Sequence, residues 1–150
     1  MEQQLLSSIR ILICDDHEGW RRQVRSLLQA RPEWQVIAEA VDGPEVIQKA
    51  EELKPDLIVL DIGLPSLNGI EAARRIRKVS PESKILFLSQ ESSADVAQEG
   101  LCLGALGYVV KTHAGSELLI AVEALLRGKQ FLSSGLGSRG ASITYRVDAN

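Results

Sequence analysis

The stretch Leu57-Ile58-Val59-Leu60-Asp61-Ile62-Gly63-Leu64-Pro65 decides how the chain is read. Four consecutive apolar residues, two of them β-branched, predict a strand buried on both faces, the pattern of a parallel sheet. The Gly/Pro turn that follows stops the strand and leaves Asp61 at its mouth. A carboxylate at the C-terminal end of a buried parallel strand is an unusual placement. In open α/β sheets that edge is where ligands bind.

Working outward, the same alternation of strand and helix repeats. Ile9 to Cys14 is an apolar run ending in Asp15-Asp16, followed by a helical pattern with Trp20, Val24, Leu27 and Leu28 on one face. Trp20 is expected to face the core. Trp34 to Ala40 alternates apolar and polar residues, as a strand near a sheet edge does. Asp42-Gly43-Pro44-Glu45 resembles a capping box and opens a helix closed by Lys54-Pro55. Beyond Asp61, Asn68-Gly69 starts a third helix whose Arg74, Arg75, Arg77 and Lys78 read as a solvated face. Ile85 to Leu88 is a fourth strand ending in Ser89, and a weaker helix spans about 93–103. Tyr108 to Val110 is a short fifth strand ending in Lys111, and a last helix runs from about Ser116 to Arg127. Its apolar stripe could serve a dimer or the core, and the core is the expected use.

Five strands alternating with five helices predict an α/β fold, a doubly wound parallel sheet with helices on both faces and right-handed crossovers. Residues 1–8 read as an N-terminal extension, 9–127 as the folded unit, and the Gly- and Ser-rich 128–150 as a flexible linker or tail. Within that tail, Ser142 to Val147 alternates like a strand but has little to pair with.

One hundred and fifty residues suffice for one domain with a real core. A net charge of −3, with the basic run Arg74 to Lys78 read as a solvated helix face, gives no pull toward nucleic acid, so direct nucleic-acid binding by this segment is not expected. No apolar run approaches membrane-spanning length, and the first ten residues lack the pattern of a signal peptide. Cys14 and Cys102 read as small buried hydrophobes of a reducing compartment. A cytoplasmic location is the expectation.

The chemistry lies at the strand ends. Asp15 and Asp16 follow the first strand, Asp61 the third, Ser89 the fourth and Lys111 the fifth, and a doubly wound sheet brings these ends to one crevice. Clustered carboxylates repel unless a cation neutralises them, and oxygen ligands with room for water suit Mg²⁺. Carboxylate, hydroxyl, amine and Mg²⁺ together can hold a phosphoryl group, with Asp61 as nucleophile forming an acyl phosphate.

At these residues the sequence resembles the receiver domain of two-component response regulators. The resemblance rests on Asp15-Asp16, on Asp61 to Pro65 with Asn68-Gly69, on Ser89, and on Gly104-Ala105-Leu106-Gly107-Tyr108-Val109-Val110-Lys111. It covers about Ile9 to Arg127. Asp15-Asp16-His17 and the closing Gly128-Lys129-Gln130-Phe131-Leu132-Ser133 resemble the subgroup whose receivers precede a LuxR/NarL-type helix-turn-helix. The resemblance implies a flavodoxin-like or CheY-like (βα)5 fold with five strands in the order 2-1-3-4-5.

It also implies roles. Asp61 is the expected phosphoacceptor, served by a sensor histidine kinase or phosphotransfer protein. Asp16 is expected to bind Mg²⁺ directly, Asp15 mainly through water, and the Gly63 carbonyl to complete the site with Asp61. Ser89 is expected to hydrogen-bond the phosphoryl group and Lys111 to ion-pair with it. Tyr108 matches the aromatic that moves inward as Ser89 closes on the phosphate. Gln90 stands where receivers carry a small residue, and its bulk near the phosphate entrance could slow phosphodonors, phosphatases or the attacking water. Gly63 and Glu91 occupy positions that tune dephosphorylation. Thr112 follows Lys111 where many receivers have proline, and a cis Lys111–Thr112 bond is expected there.

Residue by residue there are plainer readings: Asp15 or Asp16 could cap the first helix, and His17 reads as a first-turn surface residue rather than a ligand. Three other functions stay open. The chain could be the receiver part of a truncated helix-turn-helix transcription factor, or a phosphorylation-independent pseudo-receiver. It could also be a phosphotransferase or phosphatase, although no second acid follows Asp61 closely. The output is expected to be a changed surface, with altered homodimerisation or partner binding.

Overall fold

The structure, a computed structural model, describes residues 8–136. Most of the expected N-terminal extension and the strand-like 142–147 segment lie outside the described residues. Six strands and five α-helices alternate: β1 (Ile9–Cys14), α1 (Glu18–Leu28), β2 (Trp34–Ala40), α2 (Gly43–Leu53), β3 (Leu57–Leu60), α3 (Gly69–Val79), β4 (Lys84–Ser89), α4 (Ala94–Cys102), β5 (Gly107–Val110), α5 (Ala114–Leu126) and β6 (Phe131–Leu132). A 3-10 turn at Lys111–His113 joins β5 to α5. All pairings are parallel, in the order β2-β1-β3-β4-β5-β6.

The doubly wound arrangement and the order of the first five strands agree with the sequence reading. The count of five strands does not. β6 pairs with β5 through Gly107–Phe131 and Tyr108–Leu132, inside the Gly-rich stretch read as a tail. Two residues are too few for period-2 alternation to register, so nothing in the local pattern announces this strand.

β3 is buried along its whole length. Its side chains alternate between two cores, Ile58 and Leu60 facing α2, α3 and α4, and Leu57 and Val59 facing α1 and α5. The parallel sheet is covered on both faces, which is why the strand carries no polar residue until Asp61. The apolar stripe of α5 is spent on this core through Leu118, Ala121, Val122 and Leu125, while Ile120 stays exposed.

Local signals fix where the helices begin. The Glu45 amide donates to Asp42 at 2.9 Å and the Val41 amide donates to Glu45 at 2.8 Å, a reciprocal clasp like a capping box. Asn68 accepts from the Glu71 amide at 3.0 Å, and Ser93 accepts from the Asp95 and Val96 amides. On α3, Arg74 and Arg75 both pair with Glu71, so the basic run is a partly neutralised, solvated face. Neither Asp15 nor Asp16 caps α1. His17 is its N-cap residue and makes no side-chain cap bond, and the Asp15 carboxylate is buried at the sheet end.

Two further expectations are corrected. Cys14 is buried, but Cys102 is exposed at the end of α4, where the Gln98 side-chain amide donates to its sulfur at 3.3 Å. The Lys111–Thr112 bond is trans, as are all described peptide bonds. Without proline, trans is favoured by about 3–4 kcal/mol, and a 3-10 turn accommodates it here.

The chain beyond α5 is pinned by Glu117. This buried carboxylate accepts from Ser133 Oγ at 2.6 Å, Ser134 Oγ at 2.6 Å and the Ser134 amide at 3.0 Å. Burial works to raise its pKa, but these three donors outweigh burial and hold it below the ordinary carboxylate value. A depressed carboxylate pKa contributes stability above the unfolded-state value of 4.5, lost as pH falls through the folded value. Glu117→Ala is therefore expected to cost about 1–3 kcal/mol at neutral pH. Amide exchange at Ser133 and Ser134 should quicken first. Unchanged protection of those two amides would show that Glu117 does not hold the segment.

Candidate functional site

Every polar group expected at the strand ends arrives at one edge of the sheet. Asp15 follows β1, Asp61 follows β3, Ser89 ends β4 and Lys111 follows β5, all of them buried. Asp61 is anchored by its amide, which donates to the Cys14 carbonyl at 3.0 Å. Its Oδ1 accepts weakly from the Gly63 amide at 3.3 Å. The turn behind it is closed by the Gly69 amide donating to the Ile62 carbonyl at 2.7 Å. A Cβ on Gly69 would lie 2.1 Å from the Asp61 carbonyl oxygen, so only glycine permits this approach.

Lys111 bridges the two buried carboxylates. Its Nζ lies 2.6 Å from Asp15 Oδ2 and 3.4 Å from Asp61 Oδ2. Asp15 Oδ1 also accepts from the His17 amide at 2.9 Å. Asp61 thus has the looser share of the ammonium. Burial raises its pKa, the Lys111 ammonium opposes that rise, and the Asp15 charge adds to it; the net direction is upward. Of the three carboxylates expected at the metal, Asp16 is the exposed one, with His17 Nδ1 3.1 Å away. Ligand atoms of Asp15, Asp16 and His17 all fall within 4.8 Å of one another.

On the other side of Asp61, Ser89, Glu91 and Tyr108 form one linked unit. Ser89 Oγ accepts from the Glu91 amide at 3.2 Å, and the Tyr108 hydroxyl donates to the Glu91 carbonyl at 2.8 Å. Tyr108 is fully buried, with its ring 6.1 Å from that of Phe87. This is one static placement of the aromatic, buried and bonded to the loop after Ser89. Burial pushes its hydroxyl pKa up to about 12, so it remains a donor at any physiological pH.

A cleft of about 240 Å³ opens between these groups, lined by His17, Asp61, Gly63, Ser89, Gln90 and Lys111 among others. Gln90 is exposed at its rim, as its position after Ser89 implies. His17 is exposed, as expected, but stands at the N-cap of α1 rather than in its first turn, and it also lines this mouth. Trp20 departs from expectation. It belongs to neither apolar cluster, and the Lys111 ammonium sits 4.8 Å from the centroid of its ring.

Residues 11–123 match the response regulator receiver domain family, and the chain belongs to that family. Over 131 residues it is 35% identical to the transcriptional regulatory protein LiaR of Bacillus subtilis, covering 87% of this chain and 62% of the relative. It is 34% identical over 131 residues to the transcriptional regulatory protein DegU of Brevibacillus brevis, covering 87% of this chain and 56% of that one. A crystal structure of a LuxR-family two-component response regulator from Aurantimonas sp. SI85-9A1 superposes with a TM-score of 0.81 at 33% identity, covering 95% of this chain and 99% of the other. The chain thus spans roughly three fifths of the length of these curated relatives. The LuxR-type placement drawn from Asp15-Asp16-His17 and Gly128 to Ser133 agrees with these neighbours. Among the described residues no helix is long and apolar enough to cross a membrane.

Proposed function

We propose that this receiver accepts a phosphoryl group on Asp61 from a sensor histidine kinase or phosphotransfer protein, in a Mg²⁺-dependent reaction. The single observation that carries the reading is the buried pair Asp61 and Asp15 sharing one ammonium, that of Lys111. Two carboxylates against one lysine, with Asp16 beside them, leave the crevice with net negative charge. A carboxylate nucleophile there repels a phosphodonor until that charge is balanced.

The donor set fits a hard divalent cation. Asp15, Asp16 and Asp61 offer carboxylate oxygens and Gly63 a backbone carbonyl at the cleft. When bound, Mg²⁺ would supply charge neutralisation for the phosphoryl oxygens. The chain's own residues do the rest. Asp61 presents its oxygen in line with the cleft, Lys111 balances the charge of the new phosphoryl group, and Ser89 Oγ turns from the Glu91 amide to donate to it. Because Glu91 also accepts from Tyr108, movement of Ser89 is felt along β5 and the face beside α4. That coupling is a population shift between two arrangements of one linked unit. The acceptor activity is signalling chemistry rather than turnover of an external substrate.

The receiver unit is assigned to Ile9 through at least Leu136, since β6 and the Glu117 clasp bind 131–134 to it. The output we assign is regulation of transcription, the role named for the LiaR and DegU relatives. The test is intact mass after incubation with acetyl phosphate, with Mg²⁺ and with a chelator, beside Asp61→Asn. One phosphoryl adduct that needs Mg²⁺ and vanishes in Asp61→Asn is the expected result. If Asp61→Asn labels as well as the natural chain, the assignment is overturned. If neither labels, Gln90→Ala decides: an adduct there identifies a screened site, and none identifies a pseudo-receiver.

A further inference from the structure

We propose that Trp20 is a positioning residue for Lys111, its indole face holding the ammonium in place at the mouth of the acidic crevice. The inference rests on the reading of Asp61 as phosphoacceptor and extends it to a residue on the opposite wall.

The first observation is a large aromatic that the core does not use. Trp20 lies in the second half of the first turn of α1, half-buried, while the core face of the same helix is supplied by Val24 and Leu28. The second is what it covers instead. Lys111 is buried at the sheet edge, and its ammonium sits 4.8 Å from the indole centroid, within cation–π range. An ammonium has three donors. Two are directed at Asp15 and Asp61, at 2.6 and 3.4 Å, and the indole backs the group from the side.

A third observation fixes the platform. The Arg21 guanidinium donates to the Asp15 carbonyl at 2.8 Å and to Glu39 Oε1 at 2.8 Å, tying the start of α1 to the ends of β1 and β2. Trp20 therefore stands on a helix turn braced against the acidic loop. A lysine stem has four carbons and many rotamers, and a cation contributes most where it is already placed when charge develops. Here the aromatic face confines that stem without adding a competing negative charge. A third carboxylate in its place would draw the ammonium away from Asp61; the indole does not.

In the labelling reaction an Asp61 carboxylate oxygen forms an O–P bond to the phosphoryl group of acetyl phosphate. The donor's O–P bond breaks with its electron pair leaving on acetate, and no proton is transferred. The role of Lys111 is electrostatic throughout, so its placement should set the rate. The experiment takes Trp34→Phe as the reference, in which Trp20 is the sole indole, and compares it with the same chain carrying Trp20→Phe or Trp20→Leu, which has none. Two readouts are taken: the rate of Mg²⁺-dependent adduct formation, and the proton shifts of the Lys111 Hε methylene.

The indole ring current should move the Lys111 Hε signals upfield, and Trp20→Leu should abolish that shift. Loss of the platform should slow labelling about fivefold in Trp20→Leu, with Trp20→Phe between it and the natural residue. Equal rates in all three, or Lys111 Hε signals that do not respond to Trp20→Leu, overturn the proposal. Failure of the Asp61 reading shows itself separately, as no adduct in the natural chain. The Hε shift then still decides whether Trp20 holds Lys111. If Trp20→Leu does not fold, a rate in Trp20→Phe equal to the natural one overturns the proposal and a reduced one supports it.

Discussion

Asp61→Asn is expected to raise the melting temperature of this domain while abolishing its phosphoryl adduct. Asp61 is buried beside Asp15, and the ammonium they share lies closer to Asp15. Burial and the neighbouring charge lift the Asp61 pKa above its ordinary value of 3.8, against the pull of Lys111. The sign follows from linkage. The folded state holds a proton on this group to a higher pH than the unfolded chain does, so the ionised form is penalised above the folded pKa. That penalty is relieved as pH falls through the folded value toward 3.8. A neutral asparagine removes it at all pH. A gain of about 0.5–2 kcal/mol is the scale of such substitutions. Melting curves from pH 5 to pH 8 check the expectation. The variant should lead by most at the alkaline end, and Mg²⁺ should narrow the gap by stabilising only the natural chain. A variant less stable than the natural chain at pH 8 would mean that Asp61 makes a net favourable contact in the folded state.

Gly69→Ala is expected to cost about 3 kcal/mol, the upper end of what overpacking does. The added Cβ would sit 2.1 Å from the Asp61 carbonyl oxygen and 2.7 Å from Ile62 Cα. Both are backbone atoms, so no rotamer change can make room. The β3–α3 turn has to open, and it carries Asp61 with it. Urea unfolding should show a lower midpoint, and labelling by acetyl phosphate should fall with it. Gly115→Ala is the control, since nothing lies within 4 Å of a Cβ there. If both alanines are tolerated alike, the approach of α3 to Asp61 is looser than the distances indicate.

Most of this architecture is legible in the chain because its elements are long and strongly patterned. The apolar run of β3, the clasps at Asp42, Asn68 and Ser93, and the polar residue at the end of four strands each state their own structure. What is not legible depends on partners distant in sequence. β6 is two residues long and exists because β5 offers an open edge and Glu117 holds Ser133 and Ser134. Trp20 falls on the same helical stripe as Val24 and Leu28, and periodicity alone places it in the core. Only the position of Lys111, ninety residues on, explains why it stands elsewhere. The cis bond expected after Lys111 was carried by family resemblance rather than by any residue of this chain, and threonine does not support it. Cys102 shows that helix membership says nothing about which side of the helix a residue occupies.

The direction of β6 has a geometric consequence for signalling. Because β6 runs parallel to β5, the chain leaves the sheet toward the same rim that carries Asp61 and Lys111, not toward the opposite end. Gly135 passes so close to His113 that a Cβ there would meet the imidazole at 2.6 Å, and Leu136 packs on the core just beyond. Gly135 therefore passes two residues of 3-10 turn away from Lys111, whose ammonium faces Asp61. A displacement of the β5–α5 turn would press directly on Gly135 beside His113, with no relay through the body of the domain.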